Sequence, residues 1–177
     1  LFSSSGPPGP DDIRRLYDAA APLLLRITAR IAGSTEAAED IVHDAFARLV
    51  EKKIPFPTLD DAKFWLIRVA KNGALNYAKR KGREARAYER WWKGEKDSSG
   101  GADEGVLRDE AATELRRALD TLPEGQRSVL VLKEYGGLSY KEIGRALGIS
   151  EGNVKVRAFR AREALNARLG EGSKHVS

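Results

Sequence analysis

The stretch Leu138-Ser139-Tyr140-Lys141-Glu142-Ile143-Gly144-Arg145-Ala146-Leu147-Gly148-Ile149-Ser150 decides how the C-terminal third of the chain folds. Ser139, followed three residues later by Glu142, is a capping box, in which hydroxyl and carboxylate satisfy amides left free at the start of a helix. The helix it opens is short. Ile143, Ala146 and Leu147 form its apolar side, and Gly144 lets the next helix come close. Gly148 supplies a turn where positive φ is expected. Ile149 plugs the corner and Ser150 caps a second helix. The inner face of that helix is Val154, Ala158, Ala161 and Leu165, at spacings of four, three and four.

Glu151, Asn153, Lys155, Arg157, Arg160 and Arg162 are then left outside. A short helix, a glycine turn and a basic second helix are what entry into the major groove of duplex DNA requires. The first turn, with Ser150, Glu151, Asn153 and Lys155, is expected to meet base edges. Arg157, Arg160 and Arg162 are expected on phosphates or flanking contacts. The alternative is a helical hairpin with a solvated basic face.

Working outward, apolar residues recur at helical spacing throughout, and no stretch alternates as a strand does. The fold class is all-α: two small helical domains joined by a flexible linker, the C-terminal one a helix-turn-helix. Asp11 or Asp12 is expected to cap a first helix to about Ile31, with Pro22 as a kink or break. Ser34 or Thr35 restarts a helix from about Glu36 to Glu51. Pro55 and Pro57 make an extended loop. Asp60 or Asp61 is expected to cap a helix from Ala62 to Arg80 or beyond. Pro123 suits the first turn of a helix ending at Gly136-Gly137. The expected boundaries are 1–10 for a disordered start, 11–92 and 106–169 for the domains, 93–105 for a Gly/Ser/charged linker, and 170–177 for a tail.

Two faces stand out in the front domain. On the helix from Ala62, Leu66, Val69, Ala70, Gly73, Ala74 and Tyr77 form one stripe, read as core. The opposite stripe is Trp65, Arg68, Asn72, Asn76 and Lys79, followed by Arg80 and further cations. An aromatic, amides and cations together suit single-stranded nucleic acid, by stacking, hydrogen bonds and phosphate tracking. The plainer alternative is a core Trp65 with surface asparagines. On the preceding helix, Ile41, Val42, Ala45, Phe46, Leu49 and Val50 are too many for one narrow stripe. With Asp40 and Asp44 beside them they form either a partner site for a helix or simply core.

Composition is consistent with this division. The 177 residues carry a net charge of +5 and a pI near 9.5. From Asp11 to Glu51 there are eight acidic and five basic residues, from Lys79 to Lys93 seven basic and two acidic, and from Glu151 to Arg168 five basic and two acidic. An acidic front and two basic patches point to different partners for different segments, or to solvated helix faces. The absence of cysteine excludes disulfides and thiolate chemistry, and His43 and His175 lie far apart. No phosphate-cradling glycine loop or catalytic triad is present, so neither an enzyme nor a cofactor is expected. No window is long and apolar enough to span a membrane. The first ten residues lack the pattern of a signal peptide, and a cytoplasmic protein is expected. The start at Leu1 without methionine is what a trimmed form or a piece of something longer would show.

The chain resembles the small two-domain sigma factors of the extracytoplasmic-function (ECF, group IV) branch of the sigma-70 family. Ala38-Glu39-Asp40-Ile41-Val42-His43-Asp44-Ala45-Phe46-Ala47-Arg48-Leu49 resembles the family's core-polymerase-binding helix in region 2.2. Phe64-Trp65-Leu66-Ile67-Arg68-Val69-Ala70-Lys71-Asn72-Gly73-Ala74-Leu75-Asn76-Tyr77 resembles its −10 reading and melting helix. Leu119-Asp120-Thr121-Leu122-Pro123-Glu124-Gly125-Gln126-Arg127, and then Gly137 through Arg162, resemble region 4, which reads the −35 element. The resemblance implies a factor that binds core RNA polymerase through its β and β′ subunits, recognises −35 and −10 elements, and opens the promoter in response to stress or a signal. It implies that Asn72 helps hold a flipped −10 base, and that Asp40, Ile41, Asp44, Ala45, Phe46 and Leu49 dock on the β′ clamp helices. It places the linker inside polymerase and makes an anti-sigma factor a further partner. Asn153, Val156 and Phe159 depart from residues common in the family, so the −35 sequence does not carry over. The loop Lys52–Asp61 also departs. Trp91-Trp92 has no family role and fits either packing on region 2 or an anti-sigma contact. The competing readings are a stand-alone helix-turn-helix regulator and an interaction protein with a vestigial helix-turn-helix.

Overall fold

A computed structural model describes the backbone of residues 6–93 and 117–172 and the side chains of residues 6–87 and 117–168. The expected linker beyond Lys93, the side chains of Trp91-Trp92 and the end of the tail lie outside the described residues. Among those residues all regular structure is helical: α1 (Pro10–Ala32), α2 (Thr35–Lys52), α3 (Leu59–Lys93), α4 (Glu124–Glu134), α5 (Tyr140–Leu147) and α6 (Glu151–Gly172). Residues 117–120 are also helical and lead into α4.

The starts of α2, α3, α5 and α6 are set by serine or threonine hydroxyls just outside the first turn. Ser34 caps α2 as expected, its Oγ accepting the Ala37 amide at 3.2 Å. Neither Asp11 nor Asp12 caps α1. The N-cap is Gly9, whose amide donates to Asp12 Oδ2 at 3.3 Å, and Pro10 takes the first turn. Likewise Thr58, not Asp60 or Asp61, caps α3: the Asp61 amide donates to Thr58 Oγ1 at 3.1 Å, and the Thr58 hydroxyl donates to Asp61 Oδ2 at 2.6 Å. Carboxylates already inside the first turn serve the positive end of the helix dipole instead. Pro123 stands outside α4 as its N-cap rather than in its first turn.

Pro22 does not break α1. An interior proline costs about 3 kcal/mol. Leu16, Leu24 and Ile27 on the same helix are almost completely buried, and burial of such side chains contributes roughly 1.5–3 kcal/mol each. Tertiary packing therefore outweighs the local penalty.

The helices α1, α2 and α3 pack on one another, and α4, α5 and α6 form a second group. The two groups do not stay apart. One continuous buried cluster runs from Leu16, Leu24, Leu49 and Leu66 through Val129, Leu132 and Ile143 to Val154. A smaller cluster of Ala118, Leu122, Leu130, Ala161 and Leu165 belongs to the C-terminal group alone. No helix among the described residues is long and apolar enough to cross a membrane.

Candidate nucleic-acid interface

The helix-turn-helix is built by α5 and α6. The Glu142 amide donates to Ser139 Oγ at 3.2 Å, and the Ser139 amide and hydroxyl both donate to Glu142 Oε2, at 2.8 and 2.7 Å. The backbone amide first, then the hydroxyl, hold the Glu142 carboxyl below its ordinary range. Gly148 turns the chain at φ 70°. A Cβ on Gly144 would lie 2.8 Å from the Ile149 carbonyl oxygen, so the close approach requires glycine. Val154, Ala158, Ala161 and Leu165 face inward and are buried.

The outward residues of α6 are not equally free. Ser150 is a cap, its Oγ accepting the Asn153 amide at 3.3 Å. Glu151 and Lys155 pair with each other at 2.8 Å. Asn153 Oδ1 accepts from Arg157 Nε at 2.9 Å, and the Arg157 guanidinium lies over Gly125 at the start of α4. Arg162, expected on the DNA side, is turned back: it donates to Glu134 at 2.7 Å and to the Tyr140 hydroxyl at 3.3 Å. Arg160 is exposed and makes no ion pair among the described residues.

The front group holds a cleft of about 730 Å³ between α2 and α3, lined by Asp40, Ile41 and Asp44 on one side and Asn72, Asn76 and Arg80 on the other. The helices approach closely because Gly73 has no side chain; a Cβ there would stand 3.0 Å from Ile41. Asn72 and Asn76 are exposed, and Arg80 lies near Glu84 and the Tyr77 ring. Trp65 departs from the expected exposed stripe. It is half-buried, edge-on to Phe56 with ring centroids 5.9 Å apart. Ala45, Phe46 and Leu49 are buried and carry the core of α2 rather than its surface. Of the six α2 residues expected at a partner, only Asp40, Ile41 and Asp44 reach solvent.

Several cations of α3 already have partners in the C-terminal group. Arg68 Nε donates to the Ala146 carbonyl at 2.7 Å and its Nη2 to the Arg145 carbonyl at 3.3 Å. These carbonyls end α5, where the helix dipole is negative. Lys79 pairs with Glu124 at 2.7 Å, and Asp61 with Arg145 at 2.9 Å. The hydroxyl of Thr58 and then Arg145 hold Asp61 below its ordinary pKa; Lys79 does the same for Glu124. On α1, Arg26 Nε donates to the Tyr135 carbonyl at 2.8 Å, and Arg30 stacks on the Tyr135 ring.

Lys71 escaped the sequence reading altogether. It is buried, donates to Ser128 Oγ at 3.3 Å, and burial lowers its pKa. Its sequence neighbours gave no sign of this, because the covering residue comes 57 positions later.

Residues 16–84 match the family model described as Sigma-70 region 2, and residues 112–165 that described as Sigma-70, region 4. The ECF RNA polymerase sigma-E factor of Escherichia coli is 34% identical over 142 residues, covering 73% of this chain and 72% of that protein. The RNA polymerase sigma-H factor of Pseudomonas aeruginosa is 29% identical over 155 residues, 82% of this chain and 80% of that one. The probable ECF RNA polymerase sigma factor SigI of Mycobacterium tuberculosis is 31% identical over 161 residues, 88% of this chain but 55% of that protein. Similar solved structures include the sigma factor RpoE in complex with the anti-sigma factor NepR from Bartonella quintana, with a TM-score of 0.57 and 22% identity over 90% of this chain and 98% of that one. CnrH in complex with the cytosolic domain of CnrY gives a TM-score of 0.59 and 21% identity, over 90% and 88%.

Proposed function

The chain belongs to the extracytoplasmic-function branch of the sigma-70 family and is a factor of transcription initiation, and on that footing we propose that it binds core RNA polymerase, recognises −35 and −10 elements, and promotes promoter opening. In this reading α6 enters the major groove of the −35 duplex. Asn72 and Asn76, with Arg68, Lys79 and Arg80, hold unstacked bases and phosphates of the −10 strand. Asp40, Ile41 and Asp44 meet the β′ subunit, and β contributes further contacts. No group has to make or break a covalent bond. The cost of unpairing is offset by base capture and by polymerase contacts. The factor works in the cytoplasm in response to stress or another signal, and an anti-sigma factor is its natural antagonist. The two helical groups correspond to sigma regions 2 and 4.

The observation that carries this reading is the α2–α3 cleft. It brings exposed amides of α3 opposite exposed acids of α2, while the helix-turn-helix presents the outer face of α6 to solvent. For a strand to take Arg68 and Lys79, their contacts to Ala146 and Glu124 have to open. Run-off transcription dependent on both this chain and core polymerase is the expected result. Duplex binding without polymerase and without transcription favours a stand-alone regulator instead. Within the same assay, Asn72→Ala is expected to reduce opening about tenfold, the worth of one captured base. A template opened in advance as a mismatched bubble restores the rate. Equal opening by Asn72→Ala and the parent chain on duplex templates removes that residue from base capture.

A further inference from the structure

The large apolar side chains exposed among the described residues are Tyr17, Val50, Val156 and Phe159, and two of them lie on α6. Val156 is 48% exposed and Phe159 61%. At 100° per residue, Val156 stands about 180° from the centre of the buried stripe Val154, Ala158, Ala161 and Leu165. Gly152 lies one turn before it, with nothing within 4 Å of a would-be Cβ. Phe159 and Arg160 lie one turn after. The outward face of α6 is therefore Gly152, Val156, Phe159 and Arg160 over its first three turns, with Glu163 beyond them.

The polar groups of the first two turns of α6, and Arg162 beyond them, flank that line and are engaged. Glu151 is paired with Lys155, Asn153 with Arg157, and Arg162 with Glu134. A groove floor approached by this helix meets two apolar side chains first, at a place where Gly152 adds no bulk. The thymine methyl is the apolar group that base edges offer in the major groove. Lys155 and Arg157 beside it and Arg160 on its edge complement phosphates, which selects DNA over an apolar protein surface.

We propose that Val156 and Phe159 recognise thymine methyl groups in the upstream duplex, so that specificity there depends on shape contact with C5 as well as on hydrogen bonds. This rests on the reading of α6 as the −35 helix.

The test removes methyl groups alone. Holoenzyme made from the full chain and core polymerase is used to select bound duplexes from a random-sequence library, with run-off transcription as confirmation. Each thymine of the protected upstream segment is then replaced by deoxyuridine, which keeps base pairing. At one or two positions affinity is expected to fall about fourfold per methyl, the effect of one buried apolar carbon. Val156→Ser or Phe159→Ala is expected to abolish that sensitivity at the matching position, with thermal unfolding unchanged. The proposal is overturned if every deoxyuridine duplex binds as tightly as its thymine parent, or if both variants keep the parent's sensitivity. Holoenzyme that protects and transcribes but ignores the methyls sinks this inference alone. Absence of upstream protection sinks the promoter reading with it. A Val156→Ser chain that binds DNA normally but loses a protein partner gives the face to that partner and also overturns the proposal.

Discussion

Arg160 and Arg162 stand two positions apart on α6, and the basic character of the helix says the same of both. Their surroundings differ. Arg162 bridges α6 to Glu134 of α4 and Tyr140 of α5, whereas Arg160 faces open solvent. Arg160→Ala is therefore expected to leave the melting temperature unchanged and to reduce the salt dependence of duplex binding by about one ion, the signature of one lost phosphate contact. Arg162→Ala is expected to lower the melting temperature and leave that slope intact. Thermal melts and binding titrations at several salt concentrations separate the two. Equal effects of both substitutions on the slope would return Arg162 to the DNA face. The sequence placed both residues outside the inner stripe correctly. It could not say which one a neighbouring helix had claimed, because periodicity identifies a face and not what stands opposite it.

The helix-turn-helix was the most legible element, since each of its signals is local. Ser139 and Glu142 satisfy each other's backbone across one turn, and Gly148 adopts the left-handed conformation its place demands. Gly144 and Gly152 show how one residue type serves different ends. At Gly144 a methyl would run into the Ile149 carbonyl, so Gly144→Ala is expected to destabilise the fold by about 1–3 kcal/mol. Gly152 has open space and ordinary helical backbone, so Gly152→Ala is expected to stabilise by about 0.5–1 kcal/mol through its higher helix propensity. Chemical denaturation of the two variants checks both signs, and a neutral Gly144→Ala would contradict the tight crossing of α5 and α6. The caps of α1 and α3 were less legible. Gly9 and Thr58 lie beside more conspicuous aspartates, and the choice between neighbouring caps depends on where the loop enters.

At the scale of the whole molecule, the two helical groups are joined by a shared apolar cluster and by exposed ion pairs, Asp61 with Arg145 and Glu124 with Lys79. Both carboxyls are held below their ordinary pKa in the folded chain. Their contribution to stability is therefore fully present above the ordinary carboxylate range, about pH 4, and is lost as pH falls through the lowered values. Exposed pairs are worth at most about 1 kcal/mol each. The melting temperature is thus expected to drop by about 2–4 °C for each pair lost. Asp61→Asn is expected to show part of that loss already at neutral pH and a smaller acid response. A pH series of melts on both chains checks this, and identical acid responses would remove the pair from the linkage. The sequence by itself determined the helical class, the helix-turn-helix and its inner stripe, and the chain's two basic patches, because those follow from spacing, capping and charge within a few turns. Only the tertiary structure decided that Trp65 and Phe46 are packed inward, that Lys71 is covered by Ser128, and that Arg68 is held by the end of α5. Those outcomes depend on contacts between residues tens of positions apart, and helical periodicity carries no information about which distant face will meet another.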